Sequence, residues 1–165
     1  MHLLRLAPLA LLASAGGAAA QEEVPGALLA NHVVVDKSAR TLTAYADGTP
    51  LRVIEGIQLG DAPDGPKRFQ GDERTPEGRY EIDWGNPQSA YTLSLHVSYP
   101  NAADTAYAAS FGRSAGGMIM IHGQPTGMAG RMRGDWTDGC IAVSNEEIAW
   151  LWQVVPDGAT IDILP

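Results

Sequence analysis

The run Met118-Ile119-Met120-Ile121-His122-Gly123 is apolar for four residues and then ends in a histidine and a glycine. A short apolar run of this kind is typical of a strand buried on both faces of a sheet. A second apolar strand is predicted at residues 140–143, after a glycine-rich stretch that reaches Gly139. If the two strands are neighbours, the imidazole of His122 and the thiol of Cys140 come within hydrogen-bond reach.

The rest of the chain is predicted to be mainly strands. Turns at residues 37–40 and at Asp47-Gly48 separate the first three strands, which indicates a β-meander. Two helices are expected, a short one near residues 101–109 and one that begins with a capping box at Ser144 and Glu147. β-Branched or alternating residues place the other strands at 32–36, 41–45, 51–57, 79–82, 93–98 and 159–164.

Residues 60–78 hold three prolines and four glycines, which excludes a regular element. A long ordered loop inside a small domain is more often functional than decorative. We therefore expect this loop to contribute to a functional site.

The N-terminus has the layout of a cleavable secretory signal: Arg5, an apolar run over residues 6–15, and Ala18-Ala19-Ala20 before Gln21. The apolar run is shorter than the roughly 20 residues that span a bilayer. We predict a signal peptide at 1–20, a linker at 21–29 and one domain at 30–165, in a monomer exported to the periplasm or cell envelope.

The net charge of −8, with scattered basic residues, argues against binding of nucleic acid or anionic lipid.

The chain has one cysteine, so an exported protein of this sequence cannot form an internal disulfide. A histidine near Cys140 would promote thiolate formation, and the thiolate can attack an acyl carbon. Amides around Gly139 and Cys140 would hold the developing oxyanion. Two simpler interpretations stay open: Cys140 as a small buried hydrophobe, and His122 as a structural side chain. No cysteine or histidine spacing indicates a metal site.

Two separated motifs resemble the catalytic domain of the L,D-transpeptidases (the YkuD type), which remodel bacterial peptidoglycan. The first pair of residues, His122-Gly123, matches the family's His-Gly, and Thr137-Asp138-Gly139-Cys140-Ile141 resembles its Ser/Thr-His-Gly-Cys motif. Within the long loop, Gly71-Asp72-Glu73-Arg74-Thr75-Pro76-Glu77-Gly78-Arg79-Tyr80 resembles another family segment. The similarity runs from about Val33 to Ile163.

The resemblance implies a mainly β fold, a mixed β-sandwich with few short helices. It implies Cys140 as the nucleophile and His122 as its base, with the imidazole oriented by the carbonyl of Gly123. The substrate would be a peptidoglycan stem peptide cleaved after meso-diaminopimelate, through a thioester that an amine or water resolves. The implied process is cell-wall cross-linking or remodelling, including cell shape, without a metal or cofactor.

The sequence also departs from the family pattern. Asp138 replaces the second motif histidine and Ala142 replaces a frequent Arg or Asn. An acid beside a thiolate raises the pKa of the thiol, so Asp138 either points away or binds a substrate amine. The segment Leu95-His96-Val97-Ser98-Tyr99-Pro100-Asn101 resembles a branch that includes a hydrolase of peptidoglycan–peptide bonds. Further substrate-binding candidates are Thr137, Trp136, Arg133 and His96.

These departures leave three hypotheses. The first is an L,D-transpeptidase that uses a cysteine thioacyl-enzyme. The second is a peptidoglycan peptide hydrolase, an L,D-carboxypeptidase, endopeptidase or amidase, with the same cysteine and histidine. The third is a peptidoglycan-binding module without catalytic activity.

Overall fold

The computed structural model describes residues 28–165, so the predicted signal peptide and nearly all of the predicted linker lie outside the described residues. Within that range the chain forms eight strands and two helices. The strands are β1 His32–Asp36, β2 Thr41–Ala46, β3 Thr49–Glu55, β4 Gly78–Asn86, β5 Ser94–Val97, β6 Ile119–His122, β7 Ile141–Ala142 and β8 Ala159–Leu164, and the helices are α1 Ala102–Ser110 and α2 Asn145–Val154.

All eight strands belong to one curled mixed sheet in the order β3-β2-β1-β8-β4-β5-β6-β7. The meander predicted for the first three strands is present, with β2 antiparallel to both β1 and β3. Two pairs are parallel, β1 with β8 and β6 with β7. The predicted fold class, mainly β with few helices, is confirmed.

No helix in residues 28–165 has the length and apolar character that a membrane crossing requires.

Alternation of apolar and polar residues explains which face of the sheet is buried. In β1, Val33 and Val35 are fully buried while their neighbours are partly exposed, and Leu42 and Ala44 of β2 repeat the pattern. The four residues of β6 are all buried, as expected from its unbroken apolar sequence. Strand β6 therefore lies inside the domain, and His122 ends a rigid element.

Helix α2 covers the sheet next to β5 and β6. The Ser144 hydroxyl accepts from the Glu147 amide at 3.2 Å, and the Glu147 carboxylate accepts from the Ser144 amide at 2.7 Å. This is the predicted capping box, and it satisfies two amide groups that a helix start leaves without partners. Three apolar side chains at helical spacing are buried beneath α2: Ile148, Leu151 and Val154.

Residues 56–77 form a long ordered loop between β3 and β4. The buried Lys37 ammonium anchors it, donating to the carbonyl of Gly65 at 2.7 Å, the carbonyl of Thr75 at 3.3 Å and the carboxylate of Glu77 at 2.7 Å. An ammonium has three N–H donors, so Lys37 is fully satisfied. A buried cation that lost these acceptors would be strongly destabilising, which gives the loop one conformation.

The β3–β4 loop packs directly on the turn that precedes Cys140. A methyl group added at Gly60 would overlap the carbonyl of Glu73, with the carbonyl carbon 2.8 Å away and the Gly139 Cα 3.1 Å away. Gly139 has a φ of +128°, and a methyl group there would meet the Arg74 carbonyl oxygen at 2.5 Å. Only glycine permits this backbone-to-backbone approach.

We predict that Gly60→Ala lowers the free energy of unfolding by about 1–3 kcal/mol, because backbone atoms must separate to admit the methyl group. For a chain of this size the expected fall in Tm is roughly 2–4 °C per kcal/mol. Thermal unfolding followed by circular dichroism measures it. Gly117→Ala is the matched control, since its methyl group would meet its nearest neighbour at 3.7 Å, an ordinary contact. Equal Tm values for the two variants would contradict the close approach.

Candidate active site

His122 is held in one orientation and one tautomer. The residue is only 3% exposed, and Nδ1 lies 2.7 Å from the carbonyl oxygen of Gly123. A carbonyl can only accept a hydrogen bond, so Nδ1 carries the proton in the neutral ring and Nε2 keeps a free electron pair. The arrangement leaves Nε2 as the basic atom of the imidazole.

Cys140 lies immediately before β7, and the parallel pairing of β7 with β6 sets its position. Ile141 pairs with Ile121, which places Cys140 beside Met120. The Met120 amide donates to Sγ at 3.4 Å, and the thiol donates to the carbonyl of Met118 at 3.6 Å. Met120 and His122 lie on the same face of β6, because side chains alternate along a strand. The strand pairing therefore brings the thiol and the imidazole to one face of the sheet edge. The hydrogen bond expected between them is not formed among residues 28–165, because the thiol donates to the Met118 carbonyl instead.

Both side chains line one cavity of about 420 Å³. Three of the predicted substrate-binding residues, Trp136, Thr137 and Asp138, line it as well. The remaining lining residues come from the β4–β5 connection, from β5 and from β6 with the turn before it: Ser89, Tyr91, Ser94, Gly117, Met118, Ile119 and Met120. The cavity is large enough for a peptide segment of a few residues, with the sulfur on its wall.

Two aromatic rings flank the imidazole. The Tyr91 ring centroid is 4.6 Å from that of His122, and the Trp136 centroid is 5.5 Å away at an interplanar angle of 67°. The Trp136 indole N–H donates to the Gln58 side-chain carbonyl at 3.2 Å. The buried Gln124 also donates to that carbonyl, at 3.1 Å, and to the carbonyl of Val143 at 2.7 Å.

Tyr91, Gln58 and Gln124 are not among the site residues predicted from the sequence. The only local signal is the place of Gln124 directly after His122-Gly123. A glutamine or tyrosine whose partners are distant in sequence belongs to no recognisable motif. These three residues are therefore identified only by their tertiary contacts.

Thr137 stabilises the turn before Cys140 through two hydrogen bonds. Its hydroxyl accepts from the Gly139 amide at 3.2 Å and donates to the Cys140 carbonyl at 2.8 Å. The amide of Gly123 is likewise engaged, by the carbonyls of Tyr91 and Leu93. The Cys140 amide has no acceptor anywhere in the part of the chain that the structure describes. Of the amides expected to hold an oxyanion, the Cys140 amide is thus free and the Gly139 amide is occupied.

Burial favours the neutral form of both candidate catalytic groups. Desolvation lowers the pKa of His122 below its ordinary 6.5, against a smaller opposing effect of the Gly123 hydrogen bond. Desolvation raises the pKa of the Cys140 thiol above 9.0; the Met120 amide and the charge of Lys67 lower it, and the charge of Asp138 raises it further. The free site therefore holds a thiol and a neutral imidazole at pH 7.

Two predicted substrate-binding residues lie outside this cavity. The His96 ring stacks on Trp84 with centroids 4.7 Å apart, and Nδ1 lies 2.6 Å from the Asp83 carboxylate. Arg133 is exposed and does not line the cavity. Its neighbour Arg131 instead forms an ion pair with Glu147 at the start of α2. Neither His96 nor Arg133 therefore lines the cavity that holds the thiol.

Residues 28–165 bring no three histidine, cysteine, aspartate or glutamate side chains together as a set of metal ligands. The cavity offers a thiol, an imidazole, the carboxylate of Asp138 and backbone amides. Nucleophilic attack on an acyl carbon needs the thiol, the imidazole and the amides.

Comparisons with known proteins place the chain in a family. The model of the L,D-transpeptidase catalytic domain (YkuD) matches residues 30–163. YafK of Escherichia coli (strain K12), which carries a provisional L,D-transpeptidase name, is 28% identical over 129 residues, covering 75% of this chain and 46% of YafK. The chain therefore spans about half the length of this curated relative.

Solved structures agree with the family model. The helical cell shape determining protein Pgp2 from Campylobacter jejuni superposes with a TM-score of 0.64 at 30% identity, over 80% of this chain and 46% of Pgp2. An L,D-transpeptidase from Mycobacterium smegmatis shares the fold with a TM-score of 0.54 at 19% identity, over 82% of this chain and 59% of that one. The chain belongs to the family of the L,D-transpeptidase (YkuD) catalytic domain.

Proposed function

We propose that this protein is an L,D-transpeptidase that acts on peptidoglycan stem peptides through a thioester on Cys140. The observation that carries the proposal is the 2.7 Å hydrogen bond from His122 Nδ1–H to the Gly123 carbonyl, in the cavity that also holds the thiol. That bond leaves Nε2 free to take a proton from sulfur. A nucleophile beside an oriented base is the arrangement that covalent acyl transfer requires.

The reaction begins from the neutral pair. As the substrate carbonyl enters the cavity, His122 Nε2 takes the proton of Cys140 and Sγ attacks the carbonyl carbon. The Met120 amide, 3.4 Å from the sulfur, stabilises negative charge on it. The free Cys140 amide is the donor available to the oxyanion that forms on the carbonyl oxygen.

Collapse of the tetrahedral intermediate breaks the bond to the leaving amine. The imidazolium of His122 gives its proton to that amine, which departs as D-alanine, and a thioester remains on Cys140. A second amine, from a neighbouring stem, then loses its proton to Nε2 and attacks the thioester. The new amide links two stems, and the thiol is restored with the proton that His122 returns.

A second candidate replaces the acceptor amine by water. Asp138 favours it, because this exposed carboxylate lines the cavity with Cys140 where most family members have a histidine. A carboxylate there can accept a hydrogen bond from an attacking water molecule. The products would be trimmed stems rather than cross-links.

We further propose that the domain works in the periplasm or cell envelope and that its product is cell-wall remodelling. Pgp2, which shares 30% identity with this chain, is a determinant of helical cell shape. By altering peptidoglycan stem peptides, this chain would likewise influence cell shape.

We predict that incubation with a tetrapeptide donor or a carbapenem adds one acyl group to the protein, on Cys140. Intact-protein mass spectrometry followed by peptide mapping measures the adduct. Cys140→Ala is expected to give none, and His122→Ala to slow acylation by at least about 100-fold, since general base catalysis contributes this much. Folded wild-type protein that is never acylated, together with Cys140→Ala that keeps full cellular function, would support the binding-module hypothesis instead.

We predict that alkylation of Cys140 by iodoacetamide has a midpoint above pH 9.0, because burial disfavours the thiolate. Asp138→Asn is expected to lower this midpoint, since it removes a negative charge that raises the pKa of the thiol. Acylation should fall off only below pH 6.5, as the pKa of His122 is lowered and its base form persists. A midpoint well below 9.0 would show a preformed ion pair and contradict the neutral resting state.

We predict that purified muropeptides treated with the protein yield cross-linked dimers, separated by liquid chromatography and identified by mass. Trimmed monomers as the main product would assign the hydrolase instead. Cys140→Ala, run in parallel, should leave the muropeptides unchanged in either case.

A further inference from the structure

The face of the sheet that carries Cys140 and His122 continues beyond the cavity onto β5 and β4. Across the antiparallel ladders, Met120 pairs with His96, and His96 pairs with Trp84. Directly paired residues of neighbouring strands lie on the same face of a sheet. Since Cys140 lies beside Met120, a row of side chains runs from the thiol across β6 and β5 to the Trp84 indole on β4.

A β-bulge shapes the far end of this row. The register of β4 against β5 shifts between Ile82 and Trp84, so Asp83 is an extra residue without an opposing partner. Its carboxylate oxygen Oδ1 lies 2.6 Å from His96 Nδ1, and the His96 ring stacks on Trp84 with an interplanar angle of 18°. The bulge thereby brings a carboxylate, an imidazole and an indole together on one face.

The Trp84 indole is accessible to a ligand. The residue is 37% exposed, which is a large fraction for a tryptophan. The His96 ring covers one side of the indole, and the other side has no neighbouring strand because the pairing of β4 with β8 ends at Ile82 and Ala159. Beside the ring, Oδ2 of Asp83 accepts no hydrogen bond from any residue within 28–165.

An open indole face with a free carboxylate oxygen at its edge suits a pyranose ring. One face of a pyranose presents C–H groups, which pack on the negative face of an aromatic ring, and its hydroxyls point outward from the ring edge. A carboxylate oxygen is a strong acceptor for such hydroxyls. An ammonium ligand is favoured by a cage of several rings around the cation, whereas Trp84 offers one flat surface.

The distance from the thiol fits a glycan strand that bears the stem. Three strand spacings separate β7, next to Cys140, from β4, which at about 4.8 Å each is about 14 Å. The donor carbonyl belongs to the third stem residue, and an extended peptide covers roughly 3.5 Å per residue, so about 10 Å lead back to the start of the stem. The link between stem and sugar covers the remainder. The sugar can therefore lie on Trp84 while the carbonyl lies at the sulfur.

We propose that Trp84, Asp83 and His96 form a platform that binds a pyranose ring of the peptidoglycan glycan strand. The indole packs on the C–H face of the sugar, the Asp83 carboxylate accepts from its hydroxyls, and His96 holds both groups in place. The inference rests on the proposed function and deepens it, because it makes the glycan part of the substrate. Stems attached to glycan are then better substrates than free peptides.

The sugar can come from two strands that share this chemistry. It belongs either to the strand that carries the donor stem or to the strand that carries the acceptor amine. The experiment therefore has a binding arm, a donor arm and an acceptor arm.

The binding arm uses glycan strands from which an amidase has removed every stem. Titration calorimetry with the protein measures Kd for these strands and, in parallel, for a free tetrapeptide. We expect the wild type to bind the bare glycan and Trp84→Ala to bind it roughly tenfold or more weakly, the effect of losing one stacked aromatic contact. Asp83→Ala should weaken binding by a similar factor, since it removes a charged hydrogen bond that is worth roughly tenfold.

The matched control is Phe111→Ala, which removes an exposed aromatic ring at the end of α1, away from the platform, and should bind the glycan as the wild type does. Asp83 is exposed, so Asp83→Ala decides the question if Trp84→Ala does not fold.

The donor arm compares a free tetrapeptide with the same tetrapeptide attached to its disaccharide. Release of D-alanine gives kcat/KM for each, and the ratio is measured within one protein, so changes in the folded fraction cancel. We expect the wild type and Phe111→Ala to prefer the disaccharide-linked donor by roughly tenfold, and Trp84→Ala to lose the preference while it keeps its rate on the free tetrapeptide.

The acceptor arm holds the free tetrapeptide constant as the donor and offers the same two forms as acceptors. A preference that depends on Trp84 and appears only in this arm assigns the sugar to the acceptor strand.

The outcomes separate the two proposals. A wild-type protein that releases no D-alanine from either donor, but binds bare glycan through Trp84, would overturn the proposed function and support the platform. Glycan that does not bind, or binds equally to Trp84→Ala and Asp83→Ala, would overturn the platform alone. Binding of the free tetrapeptide that depends on Trp84, without binding of bare glycan, would assign the indole to an ammonium group and also overturn it. Equal kcat/KM for both forms in both arms would exclude the glycan from the reacting substrate.

Discussion

The hydrogen bond from His122 to the carbonyl of Gly123 is the constraint on which the site depends. It requires the chain to turn directly after β6, and a glycine is needed at the turn because helix α2 is close. A methyl group at Gly123 would lie 2.6 Å from the Asn145 side-chain oxygen and 2.9 Å from Ile148. The same Asn145 oxygen accepts from the Gln124 amide at 2.8 Å, so the capped start of α2 holds the backbone that orients the imidazole.

Cys140 is held from the opposite direction by the β3–β4 loop. Two buried lysines order this loop: Lys37 joins its middle, at Gly65, to its C-terminal end, at Glu77, and Lys67 binds Asp72. Burial raises the pKa of the Asp72 carboxyl, but the hydrogen bonds from Lys67 and from three backbone amides outweigh it and hold the pKa below its usual value. Through Gly60 and the Arg74 carbonyl the loop then packs on Gly139 without intervening side chains. Charges far from the chemistry in sequence thereby determine where the sulfur lies.

The electrostatics of the cavity distinguish it from a site with a preformed thiolate–imidazolium pair. Burial acts on both groups in the direction of neutrality, and Asp138 adds to the effect on Cys140. In the proposed mechanism, formation of the nucleophile is therefore coupled to the arrival of substrate, whose carbonyl accepts the negative charge as it develops. A thiol that stays protonated is also less susceptible to oxidation, since the thiolate is the reactive form.

The strands, the two helices and the candidate pair His122 and Cys140, which line one cavity, could be predicted from the sequence alone. These features depend on local periodicity, on a capping box at Ser144 and on two short motifs. The positions of Tyr91, Gln58, Gln124 and Lys67 could not, because each reaches the site through contacts between segments far apart in the chain. The same limit applies to the oxyanion donor: that the Gly139 amide is taken by Thr137 while the Cys140 amide is free depends on the three-dimensional turn. The sequence thus identified the candidate catalytic residues and the elements that hold them. Only the tertiary structure decided their protonation and their charged neighbours, because burial and distance are properties of packing rather than of order along the chain.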